Sequence, residues 1–144
     1  MEERNKVFAD SNYFVALFNT DDSLYEEARH IAQKISSDAT QLAISNFIFL
    51  EVVSILSQRK GKAAAIQAGQ DILSHPSLIN VVHVDETLQQ AAWDIFQSIE
   101  HKNISFVDCS IIAAIKTEGI KKLLTFDKTD FKKLQKKYRF SFYE

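Results

Sequence analysis

Short apolar runs alternate with helix-like stretches along the whole chain, and that alternation restricts the fold more than any other feature. Five runs read as strands: Lys6 to Ala9, Gln41 to Ile44, Ile79 to Val84, Lys122 to Phe126 and Tyr138 to Phe142. The stretches between them carry apolar residues at helical spacing. The first follows Asp10-Ser11-Asn12, with Tyr13, Phe14, Leu17 and Phe18 as its apolar face. Others are expected at about Leu24 to Ser36, Asn46 to Arg59, Lys62 to Leu73, Glu86 to about Glu100, Phe106 to Lys116 and Asp130 to Lys137. Strands alternating with helices predict an α/β fold, a parallel sheet covered on both faces and joined by right-handed crossovers.

The punctuation agrees. Ser45, Asp85 and Ser105 are placed to cap helices, Gly61 and Gly119 to end them, and His75-Pro76 to stop one. Asn46 to Arg59 is apolar nearly all round, which predicts a buried helix. Leu88, Ala91, Ala92, Ile95, Phe96 and Ile99 share one side of the helix opening at Glu86. With three Gly and one Pro there is no linker, and 144 residues suit one domain, expected to span residues 1–144.

Four acids stand out against this frame. Asp10 and Asp127 each follow an apolar run, which puts both at the C-terminal edge of a parallel sheet, where ligand sites of open α/β sheets gather. Asp108 opens a helix, and helix N-termini face the same edge. Glu51 sits between Leu50 and Val52 inside an apolar helix, where an unpaired carboxylate is costly. Several converging carboxylates need a cation, a basic partner or a proton to offset their repulsion. No Lys or Arg lies close in sequence to Asp10, Glu51 or Asp108. A hard divalent cation, Mg²⁺ or Mn²⁺, suits oxygen-only ligands and the chemistry of phosphate groups. Each acid also has a plainer reading. Asp10 can cap the next helix, Ser105-x-x-Asp108 has capping-box spacing, Glu51 can pair with a remote base, and Asp127 can begin the last helix. Asp130, one turn further on, competes with Asp127.

Net charge is −2, yet its distribution is uneven. From Lys116 to Arg139 nine Lys or Arg stand against three acids, leaving eight of the 17 basic and sixteen of the 19 acidic residues elsewhere. Such a basic stretch, which includes Lys128, Lys132 and Lys133, is either a phosphate-binding face or an ordinary solvated helix.

Other chemistries lack their residues. Three scattered glycines cannot form a P-loop or a dinucleotide turn, and there is no Gly-x-Ser-x-Gly elbow. His30, His75, His83 and His101 do not pair at zinc spacings, and Cys109 has no cysteine partner. The longest apolar stretch, Leu42 to Leu56, contains Ser45, Asn46, Glu51 and Ser54 and is too short and polar to span a bilayer. Met1-Glu2-Glu3-Arg4-Asn5 is polar and starts no apolar leader, so no signal peptide is expected.

Four segments together resemble the PIN domains, and among them the VapC-type ribonuclease toxins. They are Ala9-Asp10-Ser11-Asn12; Ser45-Asn46-Phe47-Ile48-Phe49-Leu50-Glu51-Val52; Phe106-Val107-Asp108-Cys109-Ser110-Ile111-Ile112-Ala113-Ala114; and Leu124-Thr125-Phe126-Asp127-Lys128-Thr129-Asp130-Phe131. The resemblance runs from Val7 to about Tyr138. It implies a three-layer α/β/α sandwich with a mainly parallel sheet. It also implies a cytoplasmic, Mg²⁺- or Mn²⁺-dependent endoribonuclease that hydrolyses RNA by metal-activated water, frequently as a homodimer and held in check by a VapB-like antitoxin. Carried over by position, Asp10, Glu51, Asp108 and Asp127 match the acidic quartet, while Ser11, Asn12 and Thr125 match supporting positions. The basic C-terminal region is expected to hold the RNA backbone. A PIN nuclease in RNA processing, one acting on DNA, or an inactive binding module are the competing roles.

Overall fold

The computed structural model describes residues 5–144; the reading of Met1 to Arg4 as free of a leader lies outside the described residues. The elements run β1 (Lys6–Ala9), α1 (Ser11–Leu17), α2 (Tyr25–Ser37), β2 (Gln41–Ser45), α3 (Asn46–Lys60), α4 (Lys62–Leu73), β3 (Ile79–Val82), α5 (Glu86–Ser98), α6 (Phe106–Glu118), β4 (Lys122–Leu124), α7 (Lys128–Tyr138) and β5 (Ser141–Phe142). The strands lie in the order β3-β2-β1-β4-β5, and all four pairings are parallel. The sheet is thus wholly parallel. Right-handed crossovers put α1 to α4 on one face and α5 to α7 on the other. The helix contacts sort the same way, α1 packing on α2 and α3, α3 on α4, and α5 on α6. This is the expected three-layer α/β/α sandwich.

Strands β1 and β4 are central and buried; Val7, Phe8, Ala9, Leu123 and Leu124 are almost fully enclosed. Both faces of such a strand meet helices, so its side chains read as a continuous apolar run rather than an alternation. On α6 every residue from Cys109 to Ile115 is buried. The Ser110 hydroxyl satisfies its burial by donating to the Val107 carbonyl. Gly119 ends α6 in the left-handed conformation that glycine adopts without strain.

Strand order reverses between β1 and β4. The chain builds outward from β1 through β2 to β3, then returns to add β4 and β5 on the other side. The crevice above the C-terminal ends of β1 and β4 is therefore the topological switch point, where open α/β sheets bind ligands.

Three strands are shorter than their runs, two of them for one reason. The run to Phe126 stops pairing at Leu124 because Asn12 Oδ1 accepts the Phe126 N–H at 3.0 Å and Thr125 Oγ1 accepts that of Asp127 at 3.0 Å. The run to Val84 stops at Val82; the Val84 N–H goes instead to Asn46 Oδ1 at 2.6 Å. The last strand is reduced to Ser141–Phe142 because α7 continues to Tyr138 and turns at Arg139, whose φ of 55° is left-handed.

One packing expectation needs correction. Helix α3 is not buried all round: Ile48, Val52 and Leu56 form its inward stripe, while Leu50 is 64% exposed. On the apolar side of α5, Leu88 and Ala92 are buried and Ala91, Ile95 and Ile99 pack partly buried against the core, while Phe96 stands at the surface. Tyr13 and Phe14, on the expected apolar face of α1, lie in the core. Among the described residues no helix is long and apolar enough to cross a membrane.

Candidate active site

Asp10 is the innermost acid. It caps α1, with Oδ1 accepting the Ser11 N–H at 2.7 Å and Oδ2 accepting the Thr125 hydroxyl at 2.9 Å. Thr125 is itself buried just past β4. Its oxygen accepts the Asn12 side-chain amide at 3.2 Å and the Asp127 N–H at 3.0 Å. Asn12 completes the link by accepting the Phe126 N–H. The end of β1 and the end of β4 are thus laced together by side chains at the switch point.

The other acids arrive from helices. Ser45 caps α3 by accepting the Ile48 N–H at 3.2 Å, and Glu51 lies one and a half turns in, half-buried, with the Ser11 hydroxyl against its carboxylate. Asp108 is held in a full capping box: its N–H donates to Ser105 Oγ at 3.0 Å and its Oδ2 accepts the Ser105 N–H at 3.0 Å. The plainer readings of Asp10 and Asp108 are therefore also true; each caps a helix while facing the crevice. Asp127 precedes α7 without capping it, is exposed, and hydrogen-bonds with Asp130.

The electrostatics tie the group together. Burial pushes the Asp10 carboxyl up to about 7, against the lowering effect of Thr125 and Ser11, and the charges of Asp108 and Glu51 add to the rise. Glu51 is raised by burial and by Asp108. Asp108 is raised by burial and then by Asp127 and Asp130. Asp127 is raised by burial and by Asp130. Asp108 is thus the hub of the group, within electrostatic reach of Asp10 and Glu51 on one side and of Asp127 and Asp130 on the other. Among the described residues none of the four forms a salt bridge; Asp130 does, with Lys133 at 3.8 Å.

The profile of the PIN domain family matches residues 7–137. The chain belongs to the PIN domain family. VapC20 of Mycobacterium tuberculosis, a 23S rRNA-specific endonuclease, is 28% identical over 121 residues, which is 84% of this chain and 88% of that protein. The crystal structure of M. tuberculosis VapC20, described as a sarcin-ricin loop cleaving toxin, has a TM-score of 0.78 at 27% identity, over 89% of this chain and 94% of the other. VapBC2 from Rickettsia felis, bound to a DNA fragment from their promoter, has a TM-score of 0.66 at 18% identity, over 96% and 99% of the two chains. At that identity the likeness is one of fold.

The acids of this PIN domain fit a divalent cation in donor chemistry and in charge. All are hard oxygen donors, and each is raised first by burial and then by a neighbouring acid, so their charged forms lack compensation. Their spacing is open: among the described residues no three are drawn together into a ready-made cage. Cys109, beside Asp108, is buried with its thiol pushed up to about 11 by burial, so it packs rather than reacts. Lys128 and Lys133 of this PIN domain's α7 are engaged with Glu144 (3.2 Å) and Asp130, whereas Lys132 is exposed. Sequence reasoning missed Asn46, which ties the start of the Glu51 helix to the segment after β3; an asparagine behind a capping serine gives no signal of this.

Proposed function

We propose that this PIN domain is a toxin-type endoribonuclease that hydrolyses RNA phosphodiesters with Mg²⁺ or Mn²⁺ held by Asp10, Glu51, Asp108 and Asp127. The observation that carries it is four carboxylates at the switch point, each raised by burial and then by an acidic neighbour, with no salt bridge to any of them among the described residues. A bound cation supplies the missing counter-charge, polarises the phosphate and makes water acidic enough to attack. The protein's own part is orientation. Thr125 and Ser11 fix both oxygens of Asp10, the capping box fixes Asp108, and Ser11 steadies Glu51. A carboxylate of the group accepts the proton of the attacking water. The water oxygen joins phosphorus as the bond to the 3′ oxygen breaks in line, and the leaving oxygen takes a proton from solvent water, giving a 5′-phosphate and a 3′-hydroxyl.

Lys128, Lys132 and Lys133 on α7 are proposed to grip the RNA backbone, together with the basic stretch around them. The name of VapC20 supports ribosomal RNA as the substrate class, and the fold shared with VapBC2 of Rickettsia felis supports a VapB-like antitoxin as partner. We take the whole chain, residues 1–144, as one cytoplasmic nuclease domain acting as a homodimer. Leu50, Ile66 and Leu73, exposed on α3 and α4, offer apolar surface for that contact. The reading is tested by incubating the purified protein with ribosomes, with naked total RNA and with DNA in Mg²⁺ and mapping new 5′ ends. Discrete 5′-phosphorylated ends in ribosomal RNA support it; cleavage of DNA alone overturns it.

A further inference from the structure

Outside the acid cluster, the most unusual surface is aromatic. Trp93 and Phe96 lie three residues apart on α5 and so share a face. Their rings are nearly parallel, 22° apart with centroids at 5.9 Å. Phe106, the first residue of α6, meets both edge-on, at 6.1 Å and 67° from Trp93 and at 5.9 Å and 88° from Phe96. Trp93 is nevertheless 46% exposed and Phe96 38%. Three rings that brace one another make a stiff apolar surface held open to water, an arrangement that marks interaction sites.

Position and size say what fits. Phe106 and Asp108 share the first turn of α6 but, two residues apart, point to different sides of it, so the platform and the acid cluster flank one helix end across one helix diameter, about 10 Å. The open ring area is on the order of 200 Å², since such side chains bury 150–250 Å² each. A stable protein interface takes about 800 Å² from each partner. A flat nucleobase needs no more than the ring or two offered here, and unpaired bases stack on aromatic side chains with little regard to sequence.

We propose that Trp93 and Phe96, backed by Phe106, form a stacking platform for an unpaired base of the RNA whose phosphodiester lies at the acid cluster. The proposal rests on the reading of the chain as an RNA nuclease and adds to it a preference for loops and single strands over duplex.

Trp93 is the only tryptophan in the chain, so its fluorescence reports on the platform directly. Asp108→Asn protein, chosen to prevent cleavage, is titrated with end-labelled hairpin RNA and with fully paired duplex. RNA anisotropy and tryptophan emission are followed together. The expected result is saturable quenching by the hairpin at the concentration where anisotropy rises, with no quenching by duplex. By anisotropy, Trp93→Ala should bind the hairpin about tenfold more weakly, the order expected for one lost stack, and Trp93→Phe should recover most of it. Phe96→Ala gives a second, independent lesion, and thermal melts confirm that each variant folds. Hairpin binding without quenching, and with unchanged affinity in Trp93→Ala, overturns the platform while leaving the nuclease reading intact. Absence of RNA binding by anisotropy overturns both. A change of oligomeric state in Trp93→Ala, read by light scattering, makes the surface a protein contact and overturns the platform.

Discussion

Thr125 gives its only proton to Asp10 Oδ2, 2.9 Å away, because its oxygen is already occupied by two donors that cannot reverse, the amide of Asn12 and the N–H of Asp127. The orientation of the Asp10 carboxylate is therefore dictated from β4. Thr125→Val removes the hydroxyl, keeps the volume, and strands those donors. It should cost about 1–3 kcal/mol in denaturant unfolding and lower RNA cleavage, with Thr125→Ser restoring most of both.

Asp10 gives the stability a pH dependence of unusual sign. A carboxyl pushed up in the folded chain, here to about 7 by burial and then by its acidic neighbours, binds more protons folded than unfolded. Folding is thus favoured at low pH, and the advantage fades as pH rises from about 4 through 7. Glu51, Asp108 and Asp127 are shifted the same way. Melting temperature without divalent cations should fall across that window. Asp10→Asn should flatten the fall, and millimolar Mg²⁺ should raise the melting temperature most at the alkaline end, where the carboxylates are charged.

The fourth acid is decided by paired variants. Asp127 acts on Asp108 more strongly than Asp130 does, and Asp130 is partly committed to Lys133 at 3.8 Å. Single-turnover cleavage should drop about a hundredfold or more in Asp127→Asn and only about tenfold in Asp130→Asn, as for a residue that orients rather than ligates.

Of the three α7 lysines assigned to the backbone, Lys132 is the one with no ion pair among the described residues. Lys132→Ala should weaken binding of single-stranded RNA whatever its sequence and reduce the slope of log K against log salt by about 0.7. Lys128→Ala should change the slope less, since Lys128 is already neutralised by Glu144 at 3.2 Å.

How far the sequence could be read follows from which forces are local. Caps are local, so Asp10, Ser45, Asp85 and Ser105 were legible from one turn of chain. Fully buried strands and α6 were legible from unbroken apolar runs. Strand ends were not, because the Asn12 and Asn46 side chains that take the Phe126 and Val84 N–H groups act across the sheet or from another element. The exposure of Leu50 and Phe96 was hidden for the same reason: a helix face reads as core until its neighbour is known. The acids could be listed from their strand and helix ends. That β1 and β4 are adjacent, so that Asp10 and Thr125 meet, depended on the strand order.

The most direct test of the account sets wild type beside Asp108→Asn, each incubated with structured RNA in Mg²⁺, in Mn²⁺ and in EDTA. The account predicts cleavage by wild type with either cation, none in EDTA, and none by Asp108→Asn under any condition. Equal cleavage by both proteins, or wild-type cleavage that survives EDTA, would contradict it.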